Sequence, residues 1–159
     1  WAMTGWRLGY IGAPKAIAQA CDKIQGQFTS ATSSITQRAT IAAMEANPDV
    51  LKDMIAAFKS RRDLVLNGLK QIAGLKVNHP EGAFYVFADC SAYFGKKYQD
   101  WTISNSDDLC MYLLEEALVA CVGGAAFGDP NCFRISYAAS EDILLKAVNR
   151  IGSALAKLQ

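Results

Sequence analysis

An α+β fold, with helices laid on one face of a small and mainly antiparallel sheet, follows from three features of this 159-residue sequence. Apolar residues recur at helical spacing in several long stretches, and between these lie short runs in which apolar and polar residues alternate. A hydrophobic content of 52% over the length of one ordinary domain supplies enough material for a core. Helices covering one sheet face are the natural arrangement for burying both kinds of pattern.

Taken in order, Leu8 to Gly12 is short and apolar and is bounded by glycine and Ala13-Pro14, so it is expected to be a buried strand of a neighbouring sheet outside these residues. Pro14 suits a first helical turn, after which Ile17, Ala20, Cys21 and Ile24 share a helix face that Gly26 should end. Residues 26 to 33 are small and hydroxyl-rich and read as a loop. Ser34 with Gln37 fits a capping box for a helix through Ile41 and Met44 to about Ala46. Asn47-Pro48 separates this from a long amphipathic helix over 49 to 73, on which Leu51, Ile55, Phe58, Val65, Leu69 and Ile72 repeat and which Gly74 closes.

The period then switches from 3.6 to 2. Leu75 and Val77 alternate, and Ala83 to Ala88 is a strand preceded by Gly82, where backbone freedom is useful. Residues 89 to 105, including an exposed Trp101, read as a surface excursion. Ser106 should cap a helix to Leu118 with Leu109, Cys110, Leu113, Leu114 and Ala117 inward. Val119 to Val122 is a short strand, 123 to 131 a glycine-rich loop, and Phe133 to Tyr137 a strand with Arg134 and Ser136 on the face opposite Phe133, Ile135 and Tyr137. Ser140 caps a last helix with an apolar stripe from Ile143 to Leu158.

Composition narrows the chemistry. The net charge is +1 with charges scattered along the chain, which argues against a nucleic-acid footprint or a membrane-surface patch. Apolar runs stop short of the about 18 residues that a membrane span requires. Five cysteines without CxxC or Cys/His spacing read as reduced, mostly buried thiols, which fits the cytoplasm and offers no metal site. His79, the one histidine, precedes Pro80 in a loop and gives a Cys-His nucleophile little to draw on. The start at Trp1, with Met3 internal and no leader pattern, is expected to be that of a piece of a larger protein.

Two arginines are candidate anion ligands. Arg7 lies at the entrance to the expected strand, where its planar fork of donors suits a phosphate or carboxylate, or equally a structural salt bridge. Arg134 lies on a strand entered from a glycine-rich loop and calls for a carboxylate counter-ion, either from an acidic side chain or from a substrate. The Gly123-Gly124 loop has neither the GxxxxGK[ST] nor the GxGxxG pattern. Thr29, Ser30, Thr32 and Ser33 read as capping and turn residues before they read as anion donors.

Three stretches occur in order: Met3-Thr4-Gly5-Trp6-Arg7-Leu8-Gly9-Tyr10, Pro80-Glu81-Gly82-Ala83-Phe84-Tyr85, and Ala126-Phe127-Gly128 through Phe133-Arg134-Ile135-Ser136-Tyr137-Ala138. Together they resemble the class I/II aminotransferases of fold type I, most closely the bacterial and archaeal aspartate aminotransferases, over essentially the whole chain. The resemblance implies that residues 1–35 are a remnant of the large cofactor-binding domain and its connection, and that residues 36–159 are the C-terminal small domain. It implies pyridoxal 5'-phosphate as cofactor, carried as a Schiff base by a lysine two residues before Trp1, so that these residues alone are expected to be inactive. It assigns Arg7 to the cofactor phosphate and Arg134 to the substrate α-carboxylate.

The implied reaction moves an amino group between an amino acid, aspartate first among the choices, and a 2-oxo acid such as 2-oxoglutarate. A lyase or decarboxylase of the same superfamily, or a non-catalytic binding module of the same fold, are the alternatives. Gly82 is expected to take part in the movement of the small domain over substrate, and the Thr29 to Ser34 loop hints at a homodimer. Many relatives have a proline and a small residue ahead of the loop phenylalanine, and this chain has Gly123-Gly124-Ala125-Ala126 instead.

Overall fold

The alternating segment around Arg134 becomes one of two central strands of a four-stranded antiparallel sheet in the computed structural model, which describes residues 1–159. The chain divides into two compact units, Trp1–Asp53 and Met54–Gln159.

The first unit contains a 3-10 turn at Thr4–Trp6, helix α1 (Lys15–Phe28) and helix α2 (Ser34–Glu45). No strand forms over Leu8 to Gly12; the segment has no regular structure, and Tyr10 and Ile11 are exposed. A strand needs a partner edge for its backbone groups, and nothing in this unit offers one. Helix α1 runs through Gly26 to Phe28, since a single glycine costs a helix only about 1 kcal/mol. Its apolar positions Ile17 and Ile24 are exposed, and Thr36 is the one buried residue of the unit. The capping box is also absent. Gln37 instead donates its side-chain amide to the Thr32 carbonyl at 2.7 Å, and no side chain caps α2.

Around the division, Asn47 accepts from the Asp49 amide at 3.0 Å and starts a 3-10 turn at Pro48–Leu51, so the expected long helix is split. Helix α3 (Lys52–Leu69) follows, and a turn through Gly74, whose φ is +91°, ends it. Strands β1 (Lys76–Val77), β2 (Tyr85–Asp89), β5 (Val122–Gly123) and β6 (Cys132–Ser136) form the sheet in the order β1-β2-β6-β5. Between β2 and β5, β3 (Lys97–Tyr98) and β4 (Trp101–Thr102) make a hairpin, and helix α4 (Ser106–Ala117) follows it. Helix α5 (Glu141–Leu155) closes the fold.

One sheet face is buried and carries Val86, Ala88, Phe133 and Ile135. Against it pack Val65, Leu66 and Leu69 of α3, Leu109, Tyr112 and Leu113 of α4, and Leu144, Val148, Ile151 and Leu155 of α5. Full burial of each leucine or isoleucine contributes about 1.5–3 kcal/mol relative to exposure. The α+β class and the one-sided helix layer are as expected. Two inward assignments change: Tyr112 is buried and Leu114 exposed on α4, and Ile143 lies outside the core stripe of α5.

The 89 to 105 segment is not a surface excursion. Cys90, Tyr93 and Ile103 are buried, and Trp101 packs edge-on against Tyr112 at 5.7 Å between ring centroids. The hairpin is held by the chain's last residue, because Lys97 and Gln159 exchange backbone hydrogen bonds at 2.7 and 3.0 Å. Asn105, not Ser106, caps α4 by accepting from the Asp108 amide at 2.9 Å. No helix is long and apolar enough to cross a membrane.

Candidate functional site

Arg134 stands on β6 with Phe87 of β2 and Val122 of β5 directly opposite, on the sheet face that turns away from the core. Its guanidinium carbon lies 4.4 Å from the centroid of the Tyr85 ring and 4.2 Å from that of Phe127. Period-2 alternation places Tyr85, Phe87, Arg134 and Ser136 on this face, so the residue types of two strands build the floor of the site. No carboxylate lies within salt-bridge distance of Arg134; the ion pairs of the chain are Lys52–Asp49, Arg62–Asp63, Lys76–Asp89 and Lys157–Glu116. Of the two counter-ions the sequence leaves open, the internal acidic residue is therefore not used. Arg134 is half-buried, and its guanidinium has the two rings as neighbours in place of an acidic side chain.

Phe127 comes from the glycine-rich loop, and the backbone there explains how the loop reaches Arg134. The Gly124 amide donates to the Cys132 carbonyl at 2.7 Å and to the Ser106 hydroxyl at 3.3 Å. The Gly124 carbonyl accepts from Phe127 and Asp129 at 2.8 and 3.2 Å. A Cβ at Gly124 would run into the backbone carbonyl oxygens of Asp129 and Cys132, and Gly128 turns at φ +91°. Phe87 meets Phe127 edge-on, with centroids 6.4 Å apart and planes at 87°. The Gly-Gly sequence thus permits a tightly stapled loop.

On the approach to β2, it is Ala83 that takes a left-handed φ of +59°, whereas Gly82 stays outside that region. The buried Tyr137 hydroxyl donates to the Ala83 carbonyl at 3.0 Å and ties this turn to the end of β6.

Arg7 belongs to the first unit and Arg134 to the second. Arg7 is exposed, follows the 3-10 turn with φ +51°, and donates from Nη1 to the Thr4 carbonyl at 3.1 Å without any acidic partner. Of the hydroxyl-rich loop, Thr29 accepts from the Gln25 side chain and Ser30 has φ +66°, so local turn chemistry occupies it. His79 is exposed in a loop. The five cysteines are free, with Cys90, Cys110 and Cys132 buried, Cys121 half-buried and Cys21 exposed. The sequence alone does not mark Tyr85 and Phe127 as site residues. Strand alternation could have found Tyr85, but Phe127 reaches Arg134 through loop geometry that no local pattern encodes.

The profile of the family described as Aminotransferase class I and II matches residues 1–151, and the chain belongs to this family. It is 49% identical over 162 residues to the bifunctional aspartate aminotransferase and glutamate/aspartate-prephenate aminotransferase of Petunia hybrida, covering 99% of this chain and 34% of that protein. It is 48% identical over 159 residues to the aspartate aminotransferase of Rhizobium meliloti (strain 1021), covering 99% of this chain and 39% of that protein.

Among solved structures, the aspartate aminotransferase from Rhizobium meliloti superposes with a TM-score of 0.83 at 47% identity, over 99% of this chain and 40% of that one. An aromatic aminotransferase from Pyrococcus horikoshii superposes with a TM-score of 0.77 at 32% identity, over 98% of this chain and 40% of that one. The chain thus spans about a third to two-fifths of the length of these relatives.

Proposed function

We propose that this chain is the carboxylate- and phosphate-holding part of a pyridoxal-phosphate-dependent aminotransferase that exchanges an amino group between aspartate and 2-oxoglutarate. The observation that carries the reading is Arg134, a half-buried guanidinium flanked by two rings with no protein carboxylate to neutralise it. An α-carboxylate met by two parallel N–H donors satisfies that group and fixes which way the Cα–H bond points. The names of the relatives, aspartate aminotransferases from a plant and a bacterium, support aspartate as donor.

Arg7 fits the cofactor's phosphate. It is exposed, spends one donor on Thr4 and has no acidic neighbour, so a phosphate dianion is a better partner than any group within reach. Pyridoxal 5'-phosphate, when bound, supplies the electron sink that makes loss of the α-proton feasible. The lysine that would carry it stands, by resemblance, before Trp1. These 159 residues by themselves are therefore read as inactive, with 1–35 belonging to the cofactor domain and 36–159 to the small domain. Free thiols support a reducing compartment such as the cytoplasm. The homodimer rests on resemblance alone.

A panel of amino donors assayed with 2-oxoglutarate on the full-length protein tests the reading. Aspartate should give the highest kcat/KM, and Arg134→Lys should raise KM for both substrates at least tenfold, because a point charge replaces a bidentate fork. Release of carbon dioxide or an eliminated product in place of a 2-oxo acid would overturn it in favour of a decarboxylase or lyase.

A further inference from the structure

We propose that Tyr85 and Phe127 are positioning residues that hold the Arg134 guanidinium in one plane before any carboxylate arrives. The inference rests on the reading of Arg134 as the substrate carboxylate ligand, and it adds a specific cause for that residue's preorganisation. Two rings from separate elements contact one guanidinium, at 4.4 Å from β2 and 4.2 Å from the loop after β5. An arginine side chain has several rotatable bonds, and ordering it costs entropy that binding must otherwise overcome. A planar cation against aromatic faces loses that freedom in the unliganded protein while its N–H edge stays unused.

Both rings are themselves braced, which separates a positioning device from incidental surface contact. Tyr85 packs against Phe84 with centroids 4.3 Å apart, and Phe127 is met edge-on by Phe87, the cross-strand neighbour of Arg134. Phe127 is further fixed by a loop whose Gly124 tolerates no side chain. The same rings keep the guanidinium occupied without a carboxylate, so no internal ion pair competes with the substrate. Phe127 is 47% exposed, so it contributes little to the core and its removal should spare the fold.

The first arm of the test reads the clamp without any ligand. In protein labelled with 15N-arginine, the Arg134 Nε–H, assigned by its loss in Arg134→Lys, should show a high order parameter. In Phe127→Leu it should fall to the level of the exposed Arg150, and in Phe127→Tyr it should stay high. An Arg134 as mobile as Arg150 in the unaltered protein, or unmoved by Phe127→Leu, overturns the proposal.

The second arm uses the full-length protein. Phe127→Leu and Tyr85→Leu should each raise KM for amino acid and oxo acid about 3- to 10-fold, with cofactor affinity unchanged and kcat falling less, and Phe127→Tyr should restore KM. If Arg134→Lys raises KM but Phe127→Leu does not, the positioning role falls and the carboxylate reading stands. If Arg134→Lys leaves KM unchanged, the carboxylate reading falls and takes the positioning role with it.

Discussion

The Tyr112 hydroxyl donates to the Ala154 carbonyl oxygen at 2.7 Å inside the buried boundary between α4 and α5. Burial pushes this phenol up to about 12, with the Glu116 carboxylate and Tyr98 adding to the effect, so it remains a donor throughout the neutral range. The same carbonyl also accepts from the Lys157 amide at 3.1 Å, so it is not orphaned when the phenol is removed. Tyr112→Phe should therefore cost only about 1 kcal/mol, the net worth of one neutral hydrogen bond. Urea unfolding checks this; a loss above twice that figure would mean the hydroxyl organises more than one contact.

Leu118 ends α4 in the left-handed region with φ +55° and is 73% exposed. A leucine there bears the clash between Cβ and backbone that glycine avoids, and it recovers little by burial. Leu118→Gly should stabilise the protein by about 1 kcal/mol, the left-handed penalty less glycine's greater freedom in the unfolded chain. A lower melting temperature for the variant would show that Leu118 packs in solution.

Gly124→Ala puts a Cβ against two backbone carbonyls that cannot rotate away. Destabilisation of about 2 kcal/mol should follow, together with a loss of Arg134 order as the loop carries Phe127 away. Gly123→Ala serves as the contrast, because its new Cβ meets the carboxylate of Asp107, a side chain able to swing aside. Equal costs at the two glycines would contradict the backbone argument.

How far the sequence reads through to this fold depends on whether an element is specified locally. The stripes of α3, α4 and α5 and the alternation of Phe133 to Tyr137 are local, and each appears close to where its period predicts. Leu8 to Gly12 has strand composition without a partner edge, and composition cannot show the absence of an edge. Within the 89 to 105 segment, the β3–β4 hairpin is held through Lys97 by Gln159, a contact distant in sequence, so the segment looks like loop until the chain is folded. Arg134 is legible as a charged residue on the strand face opposite Phe133 and Ile135, whereas its rings arrive from one paired strand and one stapled loop. The Asn105 cap, one residue before the expected Ser106, leaves Ser106 buried and its hydroxyl accepting from Gly124.

The first unit should yield to protease before the second. Tyr10 is 76% and Phe28 84% exposed, Ile17 and Ile24 are open on α1, and only Thr36 is buried. With so few buried apolar contacts, local opening is cheap. Brief trypsin treatment should cut at Lys15, Lys23, Arg38 and Lys52 and leave a resistant piece starting near Asp53. Digestion of both units at one rate would mean that they open together. The exposed apolar side chains should also bind a hydrophobic dye, and the signal should fall when residues 1–53 are removed, leaving that from exposed Ile55, Leu118 and Ile143.

Thiol chemistry supplies the pH dependence. Burial first, and charged or ionisable neighbours second, push Cys90 and Cys121 up to about 12 and Cys110 and Cys132 up to about 11, from an ordinary value near 9. In the folded chain these thiols hold their protons over a range in which the unfolded chain has released them. Stability from this source is complete below about pH 9 and is lost as pH rises toward 11 to 12, with a slope of up to about 1.4 kcal/mol per pH unit for each thiol. Denaturant midpoints should thus be flat from pH 7 to 8.5 and should fall steeply from pH 9 to 10.5. At pH 8 a disulfide reagent should find Cys21 at once, half-buried Cys121 more slowly, and Cys90, Cys110 and Cys132 only on unfolding. Rapid modification of Cys90, Cys110 or Cys132 in the native protein, or stability that rises above pH 9, would contradict the burial of these groups.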